Sequence, residues 1–198
     1  MRPAFAKFLL CKVLGWKMGI TTPPPEDKCI ILGAAHTNIA EFFIYLLYVR
    51  AMGDRMSVLM KKEFFKGPAK WILPRLGVIP VDRSRTGGAN LLRDVYAAFE
   101  EKEHLHLAMA PEGTRKPVRR WKMGFHAIAR HVGVPVYLGY FDWGRKLITY
   151  GERFECTPDA DADLRTIQRH YKSLGITAYH PERFVFLKEI EEETRPEA

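Results

Sequence analysis

Cys29-Ile30-Ile31-Leu32-Gly33-Ala34-Ala35-His36-Thr37-Asn38-Ile39-Ala40-Glu41 begins as a short, continuous apolar run and ends in polar residues that include a histidine and a glutamate. An apolar run of this length, bounded by polar residues, fits a strand buried on both faces. A helix follows over residues 38–53, because Asn38 suits an N-cap and Glu41, three residues on, completes a capping-box pattern. Phe42, Phe43, Tyr45, Leu46, Leu47 and Val49 leave little of that helix polar, so it should be well buried. The strand-to-helix junction could set His36 beside Glu41. An imidazole with a pKa of about 6.5 takes a proton from a hydroxyl at neutral pH when a neighbour fixes its tautomer and stabilises the cation. Taken alone, the spacing favours a plainer account, in which Glu41 only closes the capping box and His36 is a core histidine.

Outward from this junction, strands and helices alternate. A second strand is expected over 56–60, a helical stretch over 63–76 broken by Gly67, Pro68 and Pro74, and a third strand over 77–81 that runs into Asp82-Arg83-Ser84-Arg85. A helix over 89–102 carries Leu91, Leu92, Val95, Ala98 and Phe99 at helical spacing. A fourth strand over 105–110 empties into Pro111-Glu112-Gly113-Thr114-Arg115-Lys116-Pro117. A helix over 121–131, a strand over 134–141, short strands over 147–150 and 153–156, and a helix over 163–174 complete the pattern. The alternation predicts a single α/β domain with a largely parallel central sheet flanked by helices. Ligands of such sheets bind beyond the carboxyl ends of the strands, where His36, Arg83 and 112–115 would converge.

The chain of 198 residues is 47% hydrophobic, enough for one substantial core. Cys11, Cys29 and Cys156 are odd in number and unclustered, which argues against a disulfide framework or a zinc knuckle and fits a reducing, cytoplasmic setting. Lys+Arg 31 against Asp+Glu 23 gives a net charge of +8 and favours an anionic partner. Residues 1–21 combine Phe5, Phe8, Leu9, Val13, Leu14 and Trp16 with Arg2, Lys7, Lys12 and Lys17, an N-terminal amphipathic helix that suits either an anionic membrane surface or the side of the domain. The lysines interrupt any secretory signal. The Pro-rich residues 22–27 read as a linker, 28–187 as the α/β domain and 188–198 as a solvated acidic tail.

The loop 112–115 offers backbone N–H groups, a hydroxyl and a guanidinium fork to a phosphate, with Lys116, Arg119, Arg120 and Lys122 deepening the positive field. A solvated basic loop capping the next helix is the plainer alternative, but Arg83 and Arg85 present the same chemistry from a second strand end. Four blocks then stand in order: His36-Thr37-Asn38-Ile39-Ala40-Glu41, Gly77-Val78-Ile79-Pro80-Val81-Asp82-Arg83, Pro111-Glu112-Gly113-Thr114-Arg115 and Val134-Pro135-Val136. Trp121-Lys122-Met123-Gly124-Phe125 follows the third. Their identity and order resemble those of the PlsC-like glycerolipid acyltransferases, which include 1-acylglycerol-3-phosphate acyltransferase; the likeness covers roughly residues 28–142.

That resemblance implies an O-acyltransferase of phospholipid biosynthesis that needs no cofactor beyond its co-substrate, acyl-CoA or acyl carrier protein. It implies His36 as general base, the carboxylate at position 41 as its orienting partner, and Arg83, Glu112, Gly113, Thr114, Arg115 and Lys122 around the phosphate and glycerol of the acceptor. The acceptor would be a glycerol-phosphate or lysophospholipid, lysophosphatidate being favoured, and the enzyme would sit at the membrane periphery. Two positions depart from the family's pattern: Glu41 replaces its aspartate, and Ala35 stands where asparagine is frequent. A lipid-binding module of the same fold with little or no activity is the alternative. His104 and His106 alternate on the fourth strand, a pattern that invites a metal but more often is structural. No recognisable nucleic-acid-binding motif accompanies the basic charge, so no nucleic-acid partner is expected.

Overall fold

The computed structural model describes residues 1–55, 57–81 and 87–193. The strands are β1 (Lys17–Met18), β2 (Lys28–Ala34), β3 (Ser57–Lys61), β4 (Val78–Val81), β5 (Leu105–Met109), β6 (Val136–Asp142), β7 (Leu147–Thr149) and β8 (Arg153–Phe154). The α-helices are α1 (Pro3–Phe8), α2 (Ala40–Ala51), α3 (Ala69–Arg75), α4 (Gly87–Glu101), α5 (Gly124–Val132), α6 (Ala160–Ser173) and α7 (Lys188–Glu193). One sheet runs in the order β1-β7-β6-β2-β5-β3-β4, with β8 beside β6. Pairing is parallel except where β7 and β8 lie antiparallel to β6. This is the α/β arrangement that the alternating pattern predicts.

The opening apolar run becomes β2, at the centre of the sheet. Its two faces feed two cores, as a period of two requires. Ile30, Leu32 and Ala34 pack with Val95, Phe99, Phe125, Ile128, Leu164, Ile167 and Tyr171 from α4, α5 and α6. Cys29 and Ile31 face the other way, against Ile44, Tyr45, Tyr48 and Val49 of α2. Ile31 stands opposite Ala108 of β5 and Tyr137 of β6, so the strand is paired on both edges as well as covered on both faces.

Both ends of the chain are more firmly attached than their composition suggests. The amphipathic N-terminal helix forms as α1, which continues into a π-helical turn at Leu9–Val13. Ala6, Leu10 and Trp16 are buried, and β1 pairs with β7, so residues 1–21 are built into the domain and are not an appended segment. The Pro-rich stretch is likewise pinned: just before it Tyr48 Oη donates to the Ile20 carbonyl at 2.8 Å, and within it Glu26 Oε2 accepts from Tyr137 Oη at 2.6 Å. At the other end, where the sequence reads as a solvated tail, residues 188–193 form α7. Ile190 is buried there, and Glu191 and Glu193 pair with Arg119 and Arg169. One apolar anchor and two ion pairs give the acidic segment a packed face.

Candidate active site

β2 ends at Ala34, and the next residue turns the chain through a left-handed conformation, with φ of +62° at Ala35. A non-glycine residue pays for this geometry in steric strain, which asparagine tolerates better than alanine. The turn is closed by Thr37 N–H donating to the Ala35 carbonyl at 2.9 Å. It delivers His36 to the start of α2, where Glu41 occupies the first turn.

His36 Nδ1 lies 3.0 Å from Glu41 Oε2; the Glu41 side chain is wholly buried, whereas that of His36 is 28% exposed. The second carboxylate oxygen, Oε1, accepts from Trp143 Nε1 at 3.1 Å and from Thr37 Oγ1 at 3.4 Å. Thr37 Oγ1 in turn accepts from the backbone N–H of His180 at 3.2 Å. The capping-box account of Glu41 is therefore corrected: its carboxylate turns inward, and Asn38, one residue before the N-cap Ile39, accepts from Ala40 N–H through Oδ1 at 2.8 Å. The physical reason is that a carboxylate removed from water needs partners: Glu41 Oε1 finds two donors inside, and Oε2, which takes no hydrogen bond among the described residues, lies against the His36 ring. Among the described residues no group bonds His36 Nε2. The half-buried ring thus has one nitrogen braced and one open.

Glu112, near the start of the loop after β5, is also buried, and its Oε1 accepts from the backbone N–H of His36 at 3.1 Å. Its Oε2 is buried with no hydrogen-bond partner among the described residues. Burial raises the Glu112 carboxyl to about 7, only partly offset by its own backbone N–H and by the nearby His36. Through Oε1 the residue holds the backbone on which His36 is mounted.

The rest of that loop is organised by Gly113, whose φ is +66°. A Cβ added there would lie 2.6 Å from Lys122 Cγ, so the absent side chain lets the lysine stem cross the loop. Lys122 N–H donates to the Pro111 carbonyl at 2.8 Å, fixing the approach of the two segments. Thr114 Oγ1 accepts from Lys116 N–H at 3.2 Å, and Arg115 is exposed. Arg119 and Arg120 do not join this basic surface, contrary to the sequence expectation, because they pair with Glu191 and Asp161. Arg83 lies outside the described residues. The Val134-Pro135-Val136 block opens β6, and the Pro135 carbonyl accepts from Ile30 N–H at 3.0 Å, so it serves the sheet at the end away from His36.

Trp143, Thr37 and the 179–180 segment were not assigned a role by sequence reasoning. Trp143 follows β6 directly, and the rule that placed His36 beyond a strand's carboxyl end points to it equally. Its indole packs edge-on between Trp16, at 5.0 Å, and Tyr179, at 4.7 Å. Nothing in the sequence signals that His180 would return to Thr37 from 143 residues away.

The arrangement can accept a proton at Nε2 while a buried carboxylate compensates the charge gained by the ring. A protein-family model described as Acyltransferase matches residues 19–137, a span that holds His36, Glu41 and the 111–115 loop. Among solved structures, the chain is similar to the crystal structure of the 1-acyl-sn-glycerophosphate (LPA) acyltransferase, PlsC, from Thermotoga maritima. The TM-score is 0.57 at 15% identity, over 87% of this chain and 78% of that one, which is a likeness of fold. A search of curated proteins found no match.

Proposed function

The chain belongs to the acyltransferase family, and on that premise we propose that it moves a fatty acyl chain from a thioester donor to the hydroxyl of a glycerol-phosphate or lysophospholipid. Acyl-CoA or acyl carrier protein supplies the thioester, and lysophosphatidate is the favoured acceptor. His36 Nε2 takes the proton of the acceptor hydroxyl as its oxygen attacks the thioester carbonyl. The tetrahedral adduct expels the thiolate, which takes from the imidazolium the proton that came from the acceptor hydroxyl and leaves as the thiol. Glu41 stabilises that imidazolium, and no acyl-enzyme forms. A positioned base of this kind contributes roughly 10²–10⁴-fold to the rate, and holding the alcohol against the carbonyl supplies more.

The observation that carries the reading is the 3.0 Å pair between His36 Nδ1 and a fully buried Glu41, with the other ring nitrogen unbonded among the described residues. Thr114, Arg115 and Lys122, with the backbone at Gly113 and with Arg83, hold the acceptor's phosphate. Glu112 acts through His36 as a positioning residue. The exposed Phe5, Phe8, Val13 and Leu14, beside Lys7 and Lys12, give the protein its hold on the cytoplasmic membrane surface, where an amphiphilic acceptor is found. Among the described residues no helix is long and apolar enough to cross a membrane.

A thiol-release assay with acyl-CoA and a panel of acceptors tests the proposal. Wild type should consume the thioester in the presence of a glycerol-phosphate or lysophospholipid acceptor, and His36→Ala should not. Binding of lysophospholipid with no thiol release by wild type would replace the enzyme with a lipid-binding module of the same fold.

A further inference from the structure

A second cluster of ligating side chains lies at the other end of the sheet. Asp54 stands between α2 and β3, and His104 and His106 flank Leu105, the first residue of β5. All three sit at the amino-terminal edge of the parallel strands, whereas His36 lies beyond their carboxyl ends. His106 Nδ1 is 2.6 Å from Asp54 Oδ2, and His104 Nε2 is 3.1 Å from Asp54 Oδ1. One ligand atom from each residue falls within 4.8 Å of the other two. Asp54 Oδ1 also accepts from Arg55 N–H at 2.6 Å.

The surroundings fix how the imidazoles present themselves. His106 is buried, and its Nε2 lies 2.7 Å from the Glu26 carbonyl, so Nε2 carries the proton and Nδ1 offers its lone pair towards Asp54 once the proton they share is gone. Glu26 is itself held in place by Tyr137 Oη at 2.6 Å and Arg153 Nε at 2.8 Å. His104 Nδ1 faces the exposed Asp27 carboxylate at 3.8 Å, which leaves its Nε2 for the cluster. A histidine whose far nitrogen donates to a carbonyl or carboxylate is the usual outer arrangement of a metal-binding imidazole. Donors about 2 Å from one ion lie roughly 3–3.5 Å apart; the His104–Asp54 spacing of 3.1 Å already matches, and the 2.6 Å between His106 and Asp54 is a hydrogen bond that opens when an ion replaces the shared proton.

We propose that Asp54, His104 and His106 bind one divalent first-row cation, of which zinc fits the two-nitrogen, one-carboxylate set with water in the fourth position beside the partly exposed His104. Binding displaces the shared proton to solvent. The ion ties the loop after α2 to the start of β5 and, through Glu26 and Asp27, to the Pro-rich segment. Its place at the far end of the strands makes it a structural staple, separate from acyl transfer.

The test uses the full chain, freed of any tag and stripped with a chelator. Titration with Co²⁺, followed by Zn²⁺ competition against a chromophoric chelator, should give one site per chain without a thiolate-to-cobalt charge-transfer band. Zn²⁺ should also raise the melting temperature of wild type. His104→Ala removes a partly exposed ligand with little risk to folding. It should weaken binding on the order of 100-fold and abolish the thermal shift. Cys156→Ser, which alters the other candidate group of His126, Cys156 and Asp163, should change neither readout. The absence of a stoichiometric site, unchanged binding by His104→Ala, or loss of binding in Cys156→Ser would each overturn the proposal.

Discussion

Glu41 carries one methylene more than the aspartate of the motif it resembles, and the extra reach is absorbed by partners for its far oxygen. Trp143 Nε1 and Thr37 Oγ1 hold Oε1, and Oε2 is thereby aimed at His36 Nδ1. A hydrogen bond to a buried charge is worth about 1.5–3 kcal/mol, so removing one should let the carboxylate drift. Trp143→Phe keeps a ring between Trp16 and Tyr179 but removes the donor. It should lower kcat about tenfold while the KM for acceptor changes little, the pattern of a group that acts only in the transition state. Steady-state kinetics checks this; unchanged kcat would reduce Trp143 to packing. Glu112 makes a different prediction. Its carboxyl titrates near 7 in the folded protein, against about 4.3 in an unfolded chain. Between those values the folded state holds the proton and the unfolded state does not, so this residue's contribution to stability is full below the lower value and declines as pH rises towards 7. Glu112→Gln, melted across pH 4.5–7.5, should lose that decline relative to wild type. Parallel curves for the two proteins would contradict the assignment.

At the scale of elements, β2 was legible because seven consecutive apolar or small residues have no other stable place in an α/β domain, and α2 because its apolar residues follow directly. The terminal elements were not. Residues 1–21 have the composition of a free amphipathic helix, and what ties them to the domain is tertiary: the pairing of β1 with β7, the burial of Ala6, Leu10 and Trp16, and the Tyr48 bond to the Ile20 carbonyl. The β1–β7 pairing alone joins residues 130 positions apart, Lys17 and Leu147, which no local pattern encodes. α7 was missed for the same reason: its acidic run reads as solvated until Arg119 and Arg169 are seen beside it. Attachment changes how membrane binding is tested, because deleting the segment would strip buried residues from the core. Phe5 and Phe8 are 54% and 53% exposed and can be changed in place. Burying a phenylalanine contributes about 1.5–3 kcal/mol, so Phe5→Ser with Phe8→Ser should weaken sedimentation with anionic vesicles at least tenfold. Salt should weaken wild-type binding as well. Equal sedimentation of the variant would move the membrane contact elsewhere.

Across the whole molecule, the parallel sheet gathers into one site residues that lie far apart in the chain. His36 follows β2, Glu112 follows β5 and Trp143 follows β6, three strands that are neighbours in the sheet order. That convergence could be anticipated from alternation alone, since the carboxyl ends of parallel strands share one edge. What alternation could not supply was the orientation of each side chain once there. Glu112 faces inward to the His36 backbone, and Arg119 and Arg120 face away, because burial and ion pairing are settled by tertiary neighbours. The site that results has one braced imidazole at its centre. The most direct measurement is thiol release from acyl-CoA with lysophosphatidate as acceptor, comparing wild type with His36→Ala whose melting curve matches it. The His36 base predicts release by wild type and none above background by the variant; turnover by a folded His36→Ala near the wild-type rate would contradict it.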